Sequence, residues 1–320
     1  PHQVLAGEIG PAYLDYRRQW DEARLFQRRP PFPLHVDYEM KFRCNLRCPM
    51  CLMSLPVAER RRYGQVDSEL GAARVVELLR AGASAGQNSL GCGGLWEPLR
   101  EPDVPEIVAQ ARGFGLVDAM FNTNGLLLTE KTGRALIKSG LTRLMISLDA
   151  ASPEVYQRMR VGSDFQTVVA NIENFMALKS TLGSVLPLVR LSFCRTAVNE
   201  HELEPFVERW RGVVDFFSIQ AYGRYESLDP PGFPKGEAAV TPAGRCAQPE
   251  KRLLIRHNGE VMPCCDASGA SLVMGHIDEQ SLEEIWRGGP INQLRQSLSG
   301  NDLTDACRSC QSKFGPSYDQ

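Results

Sequence analysis

No stretch of this 320-residue sequence approaches the ~18 consecutive apolar residues that a membrane-spanning helix requires, so no membrane partner is expected. Positive charge is not in excess either. The 36 Lys and Arg residues are scattered among 38 Asp and Glu, for a net charge of −2. Without a basic stripe to neutralise a phosphate backbone, nucleic acid is not an expected partner. Residues 1–30 lack the apolar core of a secretory signal, and no low-complexity run marks a long disordered segment. A chain of this size buries roughly 75% of the surface its unfolded form exposes and needs no disulfide staples. Ten cysteines are present all the same. Their uneven clustering points to metal ligands in a reducing, cytoplasmic setting rather than to a secreted disulfide framework.

What is present is an alternation of short β-rich apolar runs with helical periodicity, the pattern of βαβ units around a parallel sheet. Six strands are expected, at 35–42, 88–93, 118–124, 143–149, 186–193 and 216–222. Helical patterns fall at 68–83, 102–113, 129–139, 152–180 and 200–211, the last opening with Asn199 and Glu202 at capping-box spacing. The expected fold class is therefore α/β, a partial (β/α)6 barrel. The Gly- and Pro-rich stretch 224–245 reads as a linker. It divides the chain into an N-terminal extension (1–34), a barrel (35–223) and a C-terminal domain (246–320). In that domain KRLLIRHNGEVMPCC (251–265) places an Asn-Gly turn between two short strands, and SLEEIWRG (281–288) reads as a short helix.

The first strand runs directly into FRCNLRCPMCLMS (42–54). Cys44, Cys48 and Cys51 thus stand at the C-terminal end of a strand, where α/β barrels and open α/β sheets place their chemistry. Three thiolates on one tight loop suit an iron-sulfur cluster. A cubane has four irons, so one would keep an open coordination position. A structural zinc would want a fourth Cys or His nearby, and none lies between Phe42 and Arg62.

CNLRCPMC resembles the CxxxCxxC signature of the radical S-adenosylmethionine (radical SAM) family, and the likeness continues along most of the chain. The resemblance implies that SAM binds the open iron through its amino and carboxylate groups. One electron then cleaves SAM to methionine and a 5′-deoxyadenosyl radical, which takes a hydrogen atom from an unactivated carbon. The same resemblance implies the residues around SAM. CGGLWEPL (92–99) matches the family's Gly-Gly-Glu-like stretch through Gly93, Gly94 and Glu97, with Trp96 where a glycine is usual. Met50 takes a position that packs near the adenine. Asn124, Ser147 and Asp149 end the third and fourth strands at the same mouth. Arg160, in YQRMRVGSDF (156–165), is the candidate for a forked contact with the SAM carboxylate, and Arg190 on the fifth strand is the second.

Cys246, Cys264, Cys265, Cys307 and Cys310 form a second group, arranged as GxxxxC…CxxC from Gly259 onward. This region resembles the auxiliary-cluster extension called SPASM, or its shorter form, twitch. Five cysteines are too few for the full two-cluster version, so one auxiliary 4Fe-4S cluster is implied, held by Cys246, Cys264, Cys307 and Cys310. Cys264 and Cys265 can exchange roles, and a four-thiolate zinc site is the structural alternative. Cys265, and after it Cys92 and Cys194, are then thiols that can return a hydrogen atom to a substrate radical, giving epimerisation. An auxiliary cluster that accepts an electron would instead give oxidation, by dehydrogenation, ring closure or cross-linking.

Radical SAM enzymes of this layout act on sugars and aminocyclitols of antibiotic pathways or on ribosomally made peptides. A small-molecule or peptide substrate is expected, with an electron donor such as flavodoxin or ferredoxin. An iron-sulfur electron carrier would use the same cysteines without cleaving SAM. Tyr222, Arg224, Tyr225 and Glu226 are placed to line a cavity between barrel and C-terminal domain.

Overall fold

The computed structural model describes residues 1–61, 67–222, 246–264, 271–300 and 302–314. Two helices come first, α1 (His2–Ile9) and α2 (Pro11–Arg24). The barrel then alternates strands and helices. β1 (His35–Tyr38) leads through a long loop and the short α3 (Val57–Arg60) to α4 (Ala72–Ala85), β2 (Ser89–Cys92) and α5 (Val104–Gly113). β3 (Asp118–Thr123), α6 (Glu130–Lys138) and β4 (Arg143–Ser147) follow. α7 (Pro153–Met159), α8 (Phe165–Thr181), β5 (Leu188–Arg195), α9 (Leu203–Trp210) and β6 (Phe216–Ala221) complete it. The C-terminal part holds β7 (Arg252–Ile255), β8 (Glu260–Met262) and β9 (Gly275–His276). Helices α10 (Leu282–Arg287), α11 (Gly289–Gly300) and α12 (Asp305–Phe314) follow.

All six expected barrel strands form, and they lie parallel in chain order from β1 to β6. The sheet continues on the other side of β1, where β7 pairs in parallel with His35–Tyr38 along its whole length and β8 and β9 add antiparallel. Its terminal strands β6 and β9 do not pair, so the barrel is partial. The Asn-Gly turn is present between β7 and β8, with Gly259 at φ 89°.

Strand side chains alternate between two faces. Val36, Leu90, Phe121, Ile146, Leu191 and Leu253 belong to one set, packed under the helices in a single core. The alternate set, which includes Asp37, Asn122, Ser147 and Arg190, faces the lumen.

The N-terminal helices close the end of the barrel opposite the cysteine loop. Tyr13, Tyr16 and Trp20 of α2 are buried in a second core with Leu5, Leu34, Val117 and Leu188. Trp20 meets the His35 ring edge-on at 6.3 Å and lies 4.3 Å from the Lys251 ammonium. This contact joins the N-terminal extension to both β1 and the start of β7.

Two local expectations change. The single helical pattern at 152–180 is two helices, because Gly162 turns the chain at φ 96° and Asp164 restarts it by accepting from the Thr167 N–H at 2.7 Å. Asn199 and Glu202 form no capping box. The Asn199 amide instead donates to the carbonyls of Asp149 and Cys194, at 2.8 and 2.9 Å, and Glu202 accepts from the Ala151 N–H at 2.7 Å. Both side chains are used to bind β4, β5 and α9 to one another.

Candidate active site

After Tyr38 the chain turns across the barrel mouth, held by the buried Glu39. One Glu39 oxygen lies 2.6 Å from Nδ1 of His257, and the other accepts from the Leu95 N–H at 2.5 Å. Phe42 stacks on the His257 ring at 5.2 Å. The loop from the C-terminal hairpin, the segment after β2 and the start of the cysteine loop therefore share one polar anchor.

The loop then brings Cys44, Cys48 and Cys51 to the mouth, Cys48 buried and the other two half-buried. The Cys51 N–H donates to the Cys48 carbonyl at 2.9 Å, the Leu46 N–H to Cys44 Sγ at 3.4 Å, and the Arg47 N–H to the Val161 carbonyl beyond α7 at 2.9 Å. Burial pushes all three thiols up, Cys51 to about 12. They are protonated at neutral pH unless a metal centre takes them as thiolates. Among the described residues no three Cys, His, Asp or Glu side chains converge as one metal ion would need. The donor set is three soft sulfurs on one loop, which suits a cubane that holds each thiolate at its own corner.

Asn124, Asp149 and Arg160 stand beside that loop. The Asn124 amide donates to Asn45 Oδ1 at 2.8 Å and lies 3.9 Å from Cys44 Sγ. Arg160 places one terminal nitrogen 3.7 Å from Cys48 Sγ and the other on Asp149. Its Nε is buried and has no acceptor among the described residues. Asp149 sits at φ 61°, and its Oδ1 accepts from the Cys194 N–H at 2.7 Å. Burial raises the Asp149 pKa against the pull of Arg160, while Asp149 and Cys48 hold Arg160 charged against its own burial. The cationic fork of Arg160 thus keeps its Nε–H without an acceptor among the described residues, at the edge of the cysteine loop, and a charged fork is the group that pairs best with carboxylates.

Gly93 and Gly94 pass close over the carboxylates of β1 and Glu39. A Cβ at Gly93 would come within 2.7 Å of the Asp37 carboxyl carbon, and one at Gly94, where φ is 99°, within 2.8 Å of Glu39 Cβ. Gly94→Ala is expected to cost about 1–3 kcal/mol of stability through the left-handed backbone and the crowding of Glu39, and to weaken SAM binding; thermal melting and SAM calorimetry check it. Trp96 does not cross the mouth, because its indole N–H donates back to the Gly93 carbonyl at 2.8 Å. Glu97 is wholly engaged, accepting from the Thr123 hydroxyl at 2.6 Å and from the backbone N–H groups of Asn124 and Leu99 at 2.8 and 3.0 Å. Burial raises its pKa against these bonds. Glu97 therefore stitches the Gly-Gly segment to the end of β3.

Ser147 is half-buried on the lumen side of β4, in register with Ser192. Met50 is buried in the main core beside the loop. Arg190 lies deeper in the lumen, in register with Met145. Cys92 shares its strand face with Leu90 and packs into the helix-facing core, on the wrong side to meet a ligand in the lumen. Cys194 alternates with Arg190 and Ser192 and so faces the lumen; burial pushes its thiol up to about 12. In the C-terminal part, Cys246 and Cys307 pack against the main core, Cys264 follows β8, and Cys307 and Cys310 stand one turn apart on α12. Cys265, Arg224, Tyr225, Glu226 and the 224–245 linker lie outside the described residues.

Comparison with known proteins matches residues 38–190 to the radical SAM superfamily and residues 246–311 to SPASM, an iron-sulfur cluster-binding domain. The chain belongs to the radical SAM superfamily. Membership brings a 4Fe-4S cluster and SAM, and the SPASM domain brings an auxiliary cluster. The radical SAM part is 36% identical over 145 residues to GTP 3′,8-cyclase of Limosilactobacillus fermentum, which covers 45% of this chain and 42% of that protein. The chain spans about half the length of such cyclases. PqqA peptide cyclase of Rhizobium meliloti is 26% identical and is matched over 92% of this chain and 84% of its own length. In fold, this radical SAM enzyme is similar to SuiB of Streptococcus suis bound to S-adenosylmethionine, with a TM-score of 0.65, 15% identity and coverage of 96% of this chain and 77% of that one.

Proposed function

We propose that this enzyme takes a hydrogen atom from an unactivated carbon of a polar substrate, and that the substrate radical then gives up one electron and one proton, a net two-electron oxidation. The observation that carries this reading is the three-cysteine loop at the barrel mouth with the acceptor-less Nε of Arg160 at its edge. When bound, the cluster and SAM supply reductive cleavage of the sulfonium and a hydrogen-abstracting 5′-deoxyadenosyl group. Cys44, Cys48 and Cys51 hold three corners of that cluster, and Arg160 takes the SAM carboxylate. The backbone at Gly93 and Gly94, with Asn124 and Ser147, surrounds the amino acid and ribose parts, and Met50 packs near the adenine. Asp149 and Glu97 act one step removed, by fixing Arg160 and the Gly-Gly segment.

Cys246, Cys264, Cys307 and Cys310 hold the auxiliary cluster in a C-terminal domain at 246–320, following the barrel at 35–223. That cluster is a suitable acceptor for the electron that an oxidised substrate radical gives up, and a cytoplasmic flavodoxin or ferredoxin is a suitable donor for the first one. Joining two hydrogen-bearing atoms of one substrate into a ring removes two hydrogens, so a relative matched over 92% of this chain and named a peptide cyclase favours oxidation over epimerisation. The same relative favours a peptide as the second substrate class, beside sugars and aminocyclitols.

The test is turnover in deuterated water with reconstituted enzyme, SAM, reductant and a panel of both substrate classes. Product lighter by two hydrogens, without deuterium, is expected. Deuterium at an inverted carbon with no net oxidation would assign epimerisation and overturn the oxidative reading.

A further inference from the structure

Three arginines on the strands face the lumen. Arg143 is paired with the buried Asp118, and Arg252 lies 3.9 Å from Asp37. Arg190 has no carboxylate partner among the described residues. One of its terminal nitrogens donates to Asn122 Oδ1 at 3.3 Å, and its Nε is buried with no acceptor. An unneutralised cation inside a protein is costly unless something pairs with it. Burial and the charge of Arg143 push this guanidinium down to about 10, so it is still charged at neutral pH.

Its surroundings are shaped for a polar guest. Ser192, two residues on, is nine-tenths buried and its hydroxyl has no partner among the described residues. It is in register with Ser147 on one side and Ser218 on the other, which makes a row of hydroxyls above Arg190. Asn122 is exposed, so the lumen is open at this depth.

Position separates this group from the SAM carboxylate. Cys194, whose N–H reaches Asp149 in the Arg160 pair, is four residues further along β5, about 13 Å at strand rise. Asn122 lies only two residues, about 7 Å, below Asn124, which touches the cysteine loop. A small molecule anchored at Arg190 therefore reaches up to the loop.

Building on the radical SAM reading, we propose that Arg190 anchors an anionic group of the substrate, a carboxylate or a phosphate, with Ser192 as a second donor. The test is calorimetric titration of the reconstituted, SAM-loaded enzyme with glutarate in one arm and pyrophosphate in the other. The stronger arm identifies the oxyanion. Arg190→Gln is expected to weaken that affinity by about tenfold or more and Arg190→Lys by less. SAM affinity in Arg190→Gln is expected to stay within about twofold of wild type. Arg209→Gln, on the exposed face of α9, serves as the control for a simple loss of charge.

No uptake of either anion at about 10 mM, or equal affinity in wild type and Arg190→Gln, would overturn the proposal. So would a loss of SAM affinity in step with anion affinity, which would assign Arg190 to SAM. Formation of 5′-deoxyadenosine is measured on the same samples. If it is absent in wild type, the radical reading falls, while the titration still decides the anion site.

Discussion

Cys44→Ala lowers the iron content of the reconstituted protein from about eight atoms per chain to about four and removes all 5′-deoxyadenosine formation. The expectation follows from the two separate sets of cysteines. Cys44, Cys48 and Cys51 sit on one loop, and burial raises the pKa of each thiol. The loop thus binds its metal centre by giving up three protons together, and two thiolates cannot hold a cubane that three were placed to hold. Cys246, Cys264, Cys307 and Cys310, the ligands proposed for the auxiliary cluster, lie outside that loop, so that cluster is expected to survive the change. Iron analysis and electron paramagnetic resonance of the reduced protein read the loss directly. Retention of about eight irons in Cys44→Ala would show that another residue supplies the third corner.

Arg160→Met has the second largest effect, and it acts on two quantities at once. SAM affinity falls by about 10- to 100-fold, because the charge-assisted contact of the guanidinium is lost. Stability falls by about 3–5 kcal/mol, because Asp149 is wholly buried and is left without its counter-charge. Adding Asp149→Asn separates the two effects. The double variant regains most of the stability, since no buried charge is stranded, and none of the SAM affinity. Thermal melting and SAM calorimetry on the single and double variants check this, and recovery of SAM binding in the double variant would contradict the assignment.

Much of the barrel was legible because its strands are short apolar runs between Gly and polar turns; all six formed, the first ending at Tyr38 rather than Phe42 and the fifth running two residues further, to Arg195. The cysteine loop was legible because sulfur spacing is local. What was not legible depends on side chains that serve distant partners. Asn199 has the chemistry of a helix cap, but its amide is spent on the Asp149 and Cys194 carbonyls, which only the assembled sheet brings together. Glu97 is expected beside SAM from its motif, but its bonds to the Thr123 hydroxyl and to two backbone N–H groups, which tie it to the end of β3, leave no trace in the sequence. The break between α7 and α8 did carry a signal in Gly162 and Asp164, a turn glycine followed by an N-cap. The closing role of α2 was also foreshadowed, by Tyr13, Tyr16 and Trp20 at helical spacing. Asp37 on β1 and Glu39 just after it are paired with β7 and the loop that follows it, through Arg252 and His257, contacts that span more than 200 residues and have no local trace.

The central claim is that the loop at the barrel mouth cleaves SAM. Its most direct test is anaerobic incubation of reconstituted wild-type protein with SAM and a strong reductant, with 5′-deoxyadenosine and methionine measured together. The account predicts both products in equal amounts, dependent on the reductant and absent in Cys44→Ala. An intact, fully loaded protein that forms neither product, even with substrates of both classes present, would contradict it and leave an iron-sulfur electron carrier in its place.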